Sequence, residues 1–157
     1  VAKRSGWGTP LPQGVGRGVA IVESFQTIVA EVVEASVNDD GTPKIHKVYA
    51  VVDCGRTVNP SNGENQIQGG IVMGLSTAMG EAITLEKGAV MQTNFADYPI
   101  LKMSGAPATI DVHFIESGAP MGGLGEPGVP PAAPALANAL FAVTGKRIRQ
   151  LPIVAIS

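Results

Sequence analysis

Apolar and polar positions alternate through the first third of the chain, which predicts β-strands. Residues 18–25 and 28–37 are rich in β-branched side chains, and residues 44–53 alternate before they become fully apolar. A turn cluster at residues 38–41 separates the second run from the third. The three runs predict an antiparallel meander that follows an irregular segment over residues 1–17.

The spacing of apolar residues changes after residue 60 from two to four. Four of them predict one face of a helix over residues 62–79: Ile67, Ile71, Leu75 and Met79. Gly69, Gly70 and Gly74 lie in the same helix, where each costs ~1 kcal/mol relative to alanine. Because of this cost, we expect a closely packed neighbour that needs the space.

The remaining pattern completes a mixed fold. Residues 82–85 and 89–93 predict a hairpin around the turn at residues 86–88, and residues 110–115 predict a further strand. Residues 131–143 form an Ala/Pro-rich helical pattern that ends at Gly145. The predicted class is α+β, with mostly antiparallel strands, one glycine-bearing helix and one C-terminal helix.

Composition restricts the class of protein. With 157 residues, 45% hydrophobic and 15% charged, the chain suits one globular domain or a large piece of one. A net charge of −2 without Lys/Arg runs gives no basic surface for nucleic acid. Charge, glycine or proline interrupts every apolar stretch well before ~18 residues, so we expect no membrane-spanning helix. The sequence begins at Val1 without methionine, so we expect a processed chain or a fragment.

The strongest candidate for chemistry is Glu126. It lies in a loop of glycines and prolines, residues 121–131, that opens onto the C-terminal helix. A carboxylate held against an apolar helix start is a candidate general base with a raised pKa. The alternative is a structural carboxylate that favours the positive end of the helix dipole. Four nearby glycines favour the first interpretation, because a dipole-complementing glutamate does not need them.

Two other interpretations of this loop are weak. Residues 123–128 match the dinucleotide-binding pattern G-x-G-x-x-G, but prolines delay the helix and no acid follows Glu126. An anion site is disfavoured because three prolines remove backbone donors and Glu126 repels anions.

Metal and nucleophile sites are also disfavoured. His46 and His113 lie in strand patterns without a His, Cys or Asp partner at metal-ligand spacing, so no metal ligand is predicted. Cys54 is the only cysteine, which excludes an intrachain disulfide, and it follows an apolar strand where a buried, inert thiol is expected.

Three segments, taken together, resemble one known family. They are Val52-Asp53-Cys54-Gly55-Arg56-Thr57-Val58-Asn59-Pro60, Gln66-Ile67-Gln68-Gly69-Gly70 and Gly123-Leu124-Gly125-Glu126-Pro127. Their order and separation resemble the C-terminal part of the large molybdenum-binding subunit of the xanthine oxidase family. Residues 6–12 and 144–147 resemble, more narrowly, the branch that contains the isoquinoline 1-oxidoreductase beta subunit. The resemblance implies that residues 1–157 are the C-terminal portion of a larger molybdopterin-binding domain.

The resemblance also implies roles for individual residues. Glu126 falls on the position of the active-site base, and Gln66 on a glutamine that contacts the pterin cofactor. Gly69, Gly70 and Gly125 are expected to give that cofactor room against the backbone. The implied reaction hydroxylates an N-heteroaromatic compound with oxygen from water, and an aldehyde substrate or a non-catalytic assembly module remain alternatives. The sequence before Gly125 lacks the Lys-Ala approach of the purine enzymes, which argues against purine specificity.

Cofactors and partners follow from the same resemblance. The implied cofactor is molybdenum-molybdopterin in its cytosine dinucleotide form, with iron–sulfur clusters on a partner. The implied partners are the remainder of the large subunit, a small [2Fe–2S] subunit, and a cytochrome c or flavin acceptor. Substrate, acceptor, oligomeric state and compartment, bacterial cytoplasm or periplasm, stay open.

Overall fold

A computed structural model describes residues 1–156 of the chain. Its helices and strands follow one another in this order: α1 Ala2–Ser5, β1 Gly16–Ser24, β2 Thr27–Val37, β3 Pro43–Asp53, α2 Pro60–Met79, β4 Leu85–Glu86, β5 Ala89–Val90, β6 Thr109–Ile115 and α3 Ala132–Thr144. The predicted α+β class is confirmed. The N-terminal segment was expected to be irregular, but a single turn of helix, α1, begins it; four residues are too few to show a periodic pattern.

Four strands form one sheet in the order β1-β2-β3-β6. The first three pair antiparallel, which confirms the predicted meander. β6 joins β3 in parallel, because the chain crosses over through α2 before it returns to the sheet. The predicted hairpin is present but shorter than expected, since only the two-residue strands β4 and β5 pair around Lys87 and Gly88.

Both long helices pack on one face of the sheet. Alternate residues of β2, such as Val29 and Val33, are fully buried on that face. The predicted apolar stripe of α2 is buried there too, at Ile67, Ile71 and Leu75. The side of α2 that faces away from the core is exposed to solvent and forms part of the site described below.

The ends of α2 and α3 follow from local chemistry. Asn59 caps α2, since its side chain accepts a hydrogen bond from the Asn62 amide at 3.1 Å, and Pro60 occupies the first helical position. α3 ends at Gly145, which adopts the left-handed conformation with φ of 70°. None of the helices within residues 1–156 is long and apolar enough to cross a bilayer.

Between α2 and β6, residues 81–108 form an extension that we call the arm. Glu81 connects it to α2 by accepting hydrogen bonds from the hydroxyls of Ser76 and Thr77. Tyr98 of the arm donates to the same carboxylate at 3.0 Å, and this bond raises the pKa of Tyr98 above 10.0. The Ser76 hydroxyl also accepts from the Leu101 amide at 2.9 Å, so one side chain of α2 contacts two separate parts of the arm.

Candidate functional site

A cavity of about 610 Å³ lies between the exposed side of α2 and the loop that precedes α3. Its lining is mainly apolar and glycine-rich, with a few polar side chains. The lining residues are Phe25, Asn65, Gln66, Gly69, Gly70, Met73, Gly125, Glu126, Val129 and Pro130. A concave, mostly apolar cavity with few polar groups is the usual form of a small-molecule or cofactor site.

Helix α2 supplies one wall of the cavity through its solvent side. Gln66, Gly69 and Met73 follow one another at helical spacing, and all three are exposed. A Cβ atom added at Gly69 would meet no atom within 4 Å, so this glycine leaves open space in front of the helix backbone. The role of Gly69 in giving room to a cofactor stays a prediction.

Gly74 of α2 has a different role. A Cβ at Gly74 would lie 2.6 Å from the Val129 carbonyl oxygen and 2.8 Å from the Ala132 Cβ. A Cβ at Gly70 would make only an ordinary van der Waals contact with Gly128, at 3.5 Å, and Gly70 also lines the cavity. The closely packed neighbour that the sequence predicted is therefore the loop before α3, which lies against the helix backbone.

The opposite wall is this loop, and a hydrogen bond joins it to α2 at the cavity. The Gln66 Nε2 atom donates to the Gly125 carbonyl oxygen at 2.7 Å. Three residues later the loop is in close contact with α2, since a Cβ at Gly128 would lie 2.8 Å from the Ile67 carbonyl oxygen. Gly125 itself has open space in front of it, because an added Cβ would meet nothing within 4 Å.

The start of the loop is connected to the end of β3. The Gly122 amide donates to the Cys54 carbonyl at 3.0 Å, and the Ser117 hydroxyl donates to the Asp53 carboxylate at 2.7 Å. Cys54 is buried, as predicted. The three sequence segments that carried the family resemblance thus converge on one loop and one helix face.

Glu126 lies on the cavity wall and its side chain is exposed. Its carboxylate forms no hydrogen bond with another residue of the described range 1–156. Helix α3 begins only at Ala132 and has no acidic residue in its first turn, so the helix-dipole interpretation does not fit. Residues 1–156 therefore do not bury the carboxylate of Glu126.

Phe25 is the cavity residue that sequence reasoning missed. It occupies, with Gln26, the two-residue connection between β1 and β2, and both have positive φ, 54° and 60°. Such turns normally use Asn, Asp or Gly, and this unusual composition was the available signal. The Gly123 amide donates to the Phe25 carbonyl at 2.9 Å, and the Thr27 hydroxyl donates to the Gly123 carbonyl at 2.7 Å. Gly122 and Gly123 therefore make room for this turn rather than for a ligand.

The remaining candidates lie elsewhere. His46 bonds the Ser36 hydroxyl at 2.8 Å on the far part of the sheet, and His113 is exposed on β6. Within residues 1–156, no group of three His, Cys, Asp or Glu side chains could hold a metal ion. At the cavity, the open backbone at Gly69 and Gly125 fits one edge of an organic cofactor.

Comparison with known proteins decides the family. Residues 11–107 match the model of the molybdopterin cofactor-binding domain. The chain belongs to this family. The molybdopterin-binding domain is 34% identical to the beta subunit of isoquinoline 1-oxidoreductase from Brevundimonas diminuta, over 98% of this chain. It is 37% identical to a nicotinate dehydrogenase subunit from Pseudomonas putida, over 73% of this chain.

Solved structures agree with the fold. The domain superimposes on quinoline 2-oxidoreductase from Pseudomonas putida 86 with a TM-score of 0.74 at 23% identity, over 82% of this chain and 17% of that one. It superimposes on the reconstituted CO dehydrogenase from Oligotropha carboxidovorans with a TM-score of 0.67 at 26% identity, over 82% of this chain and 17% of that one. The predicted membership of the xanthine oxidase family is confirmed.

The molybdopterin-binding domain spans a small part of these relatives. It covers 20% of the isoquinoline 1-oxidoreductase subunit and 10% of the nicotinate dehydrogenase subunit. Most of the length of those relatives therefore has no counterpart in this chain.

Proposed function

We propose that this chain forms part of the active site of a molybdenum-dependent hydroxylase that oxidises an N-heteroaromatic compound with oxygen from water. The observation that carries the proposal is the convergence of Glu126 and Gln66 on one glycine-lined cavity. The similarity to subunits named for isoquinoline and nicotinate supports the heteroaromatic class. The overall reaction consumes one water and releases two protons and two electrons for each hydroxyl group formed.

The proposed role of Glu126 is that of the catalytic base. Its carboxylate is on the cavity wall, is accessible, and has no hydrogen-bond partner among residues 1–156 that would occupy it. In this position it can accept a proton from the water that supplies the oxygen atom. General bases of this kind contribute typically ~10²–10⁴ to the rate.

The proposed role of Gln66, Gly69, Gly70 and Gly125 is to hold one edge of the pterin cofactor. The Gln66 amide fixes the Gly125 carbonyl, which positions the residue next to Glu126. The open space in front of Gly69 and Gly125 allows a bulky group to contact the backbone directly. When bound, the molybdenum–pterin cofactor supplies the redox chemistry, and we propose its cytosine dinucleotide form.

The proposed partners complete the site. We infer that the remainder of a large subunit encloses the cofactor and that a small [2Fe–2S] subunit carries the electrons to a cytochrome c or flavin acceptor. An aldehyde substrate is the alternative within the same chemistry, since the chain is also 31% identical to a protein named as a membrane-bound aldehyde dehydrogenase from Gluconacetobacter polyoxogenes, over 94% of this chain and 20% of that one. Parallel assays with isoquinoline, nicotinate and an aldehyde on the complete enzyme distinguish the two classes.

Substitution of Glu126 tests the proposed base. In the complete enzyme, Glu126→Gln should reduce turnover ~10²–10⁴-fold while molybdenum content stays at the wild-type value, because the amide keeps the shape but cannot accept the proton. Glu116→Gln is the matched control, since Glu116 is also exposed but does not line the cavity. Steady-state kinetics and elemental analysis measure the two effects. Near-normal turnover of Glu126→Gln would contradict the assignment.

Molybdenum analysis of the wild-type complex also tests the non-catalytic alternative. An assembled enzyme should contain about one molybdenum per active site, as expected when the metal is part of a resident cofactor. A stable complex without molybdenum and pterin would favour an assembly module instead.

A further inference from the structure

Phe25 combines an unfavourable backbone conformation with a position on the cavity wall. Its φ of 54° lies in the left-handed region, which is unfavourable for a non-glycine residue because of contact between its Cβ and the following carbonyl oxygen. Its side chain is 63% exposed in this chain, so burial among residues 1–156 does not offset that cost. Outliers of this kind concentrate at ligand sites, where the surrounding structure keeps them in place.

The turn that carries Phe25 is fixed from several sides. Its two ends, Ser24 and Thr27, pair across the β1–β2 ladder. On the loop side, the Gly123 amide donates to the Phe25 carbonyl and the Thr27 hydroxyl donates to the Gly123 carbonyl, at 2.9 and 2.7 Å. These contacts fix the backbone of Phe25, from which the ring extends, relative to the loop that continues to Glu126.

The cavity also exposes bare helix backbone. There the helix presents Gly69 and Gly70, and an added Cβ at Gly69 would meet nothing within 4 Å. The same cavity thus combines one aromatic ring with glycine positions that leave the backbone open. Aromatic pairs prefer offset-stacked or edge-to-face arrangements and gain more than the burial of their area alone, so an exposed ring beside such open space fits a second planar ring.

We propose that Phe25 is a ligand-contact residue that stacks against a planar heteroaromatic ring in the cavity. The inference rests on the proposed function, which offers two sources of such a ring, the substrate and the pterin of the cofactor. In the proposed arrangement Glu126 and Gln66 contact the polar edge of the ring, and Phe25 contacts its face.

Four substitutions in the complete enzyme test this role. Phe25→Tyr and Phe25→Trp keep a ring, Phe25→Leu keeps an apolar side chain without a ring, and Phe25→Gly removes the side chain but relieves the backbone. All three non-glycine variants carry the same left-handed backbone cost, so differences among them report on the ring. Phe25→Gly should fold at least as well as the wild type, which separates a contact role from a role in turn formation.

If the ring belongs to the substrate, Leu and Gly should raise KM for a heteroaromatic substrate about threefold to tenfold. Molybdenum and pterin content should stay normal, KM for an aliphatic aldehyde should not change, and Tyr and Trp should restore the wild-type KM. If the ring belongs to the pterin, Leu and Gly should lower pterin content, measured by fluorescence of the released cofactor, and Tyr and Trp should restore it.

The proposal is overturned if Phe25→Leu equals the wild type in both KM and pterin content. It is also overturned if Tyr and Trp lose as much as Leu. Either result leaves the proposed function intact as long as turnover still depends on Glu126. A wild-type complex that contains neither molybdenum nor pterin would overturn the proposed function and this proposal together.

Discussion

At the scale of single residues, Glu31 is an ionisable group that is buried in the core without a hydrogen-bond partner among residues 1–156. Glu31 lies on the buried face of β2 between Val29 and Val33, and its side chain has no exposed surface. Neither carboxylate oxygen has a hydrogen-bond partner among residues 1–156. Burial disfavours the charged form and raises the pKa of Glu31 well above its ordinary value of 4.5. The residue is therefore a source of pH dependence in the stability of the fold.

The sign of this dependence follows from proton binding. Below pH 4.5 both the folded and the unfolded chain keep the proton on Glu31; as the pH rises, the unfolded chain loses it first. The free energy of unfolding should therefore fall as the pH rises from about 4.5 toward the folded-state pKa. Glu31→Gln should abolish this slope, and Glu31→Leu should raise the free energy of unfolding by about 1–3 kcal/mol at pH 7, because it removes an unpaired buried group.

Urea unfolding of the wild type and both variants between pH 4.5 and 8 measures these effects. Glu34→Gln is a control, because Glu34 is paired with Arg17 at 2.7 Å on the opposite face of the strand. A wild-type slope that persists in Glu31→Gln would contradict the assignment to Glu31.

At the scale of elements, α2 performs two tasks with its two sides. One side buries Ile67, Ile71 and Leu75 in the core, and Gly74 allows the loop before α3 to lie against the backbone. The other side, at Gln66 and Gly69, lines the cavity. Glycine thus allows close packing at position 74 of the helix and leaves open space at position 69.

Two alanine substitutions in α2 separate these tasks. Both gain up to ~1 kcal/mol of helix propensity. Gly74→Ala should nevertheless destabilise the fold by about 1–3 kcal/mol, because its Cβ would lie 2.6 Å from the Val129 carbonyl oxygen. Gly69→Ala should raise stability, since its Cβ meets nothing within 4 Å, and should lower cofactor content in the complete enzyme. Thermal unfolding and molybdenum analysis measure the pair, and equal stability of the two variants would show that the loop does not pack on α2.

The elements themselves could largely be predicted from the sequence, because alternation and four-residue spacing report directly on burial. Positions set by long-range contacts could not. β6 is parallel to β3 because of the crossover, which the strand's own residues do not encode. A glutamate in mid-strand normally predicts a solvent face, so the burial of Glu31 was hidden. Glu126 was selected from its glycine- and proline-rich loop and Gln66 through the resemblance, whereas Phe25 required the fold, because only the turn brings it beside the loop.

At the scale of the whole molecule, the arm carries several large apolar side chains that are exposed to solvent. Its exposed large apolar side chains are Ile83, Leu85, Val90, Met91, Phe95, Ile100 and Met103. Phe95 is 95% and Met103 is 92% exposed, and each lies in a three-residue 3₁₀ helix outside the core. Large exposed apolar patches mark interaction surfaces, and without a partner they cause self-association.

The purified chain should therefore associate with itself through the arm. Replacing both Phe95 and Met103 by serine should lower the concentration-dependent increase in sedimentation coefficient, because it removes the most exposed apolar side chains of the arm. The free energy of unfolding should change by less than about 0.5 kcal/mol, since neither side chain packs in the core. The double substitution Ile21→Ser with Met121→Ser is the matched control, because both residues are also well exposed but lie outside the arm. If the control pair lowers association and the arm pair does not, the surface at Ile21 and Met121, rather than the arm, is the self-associating face of the molecule.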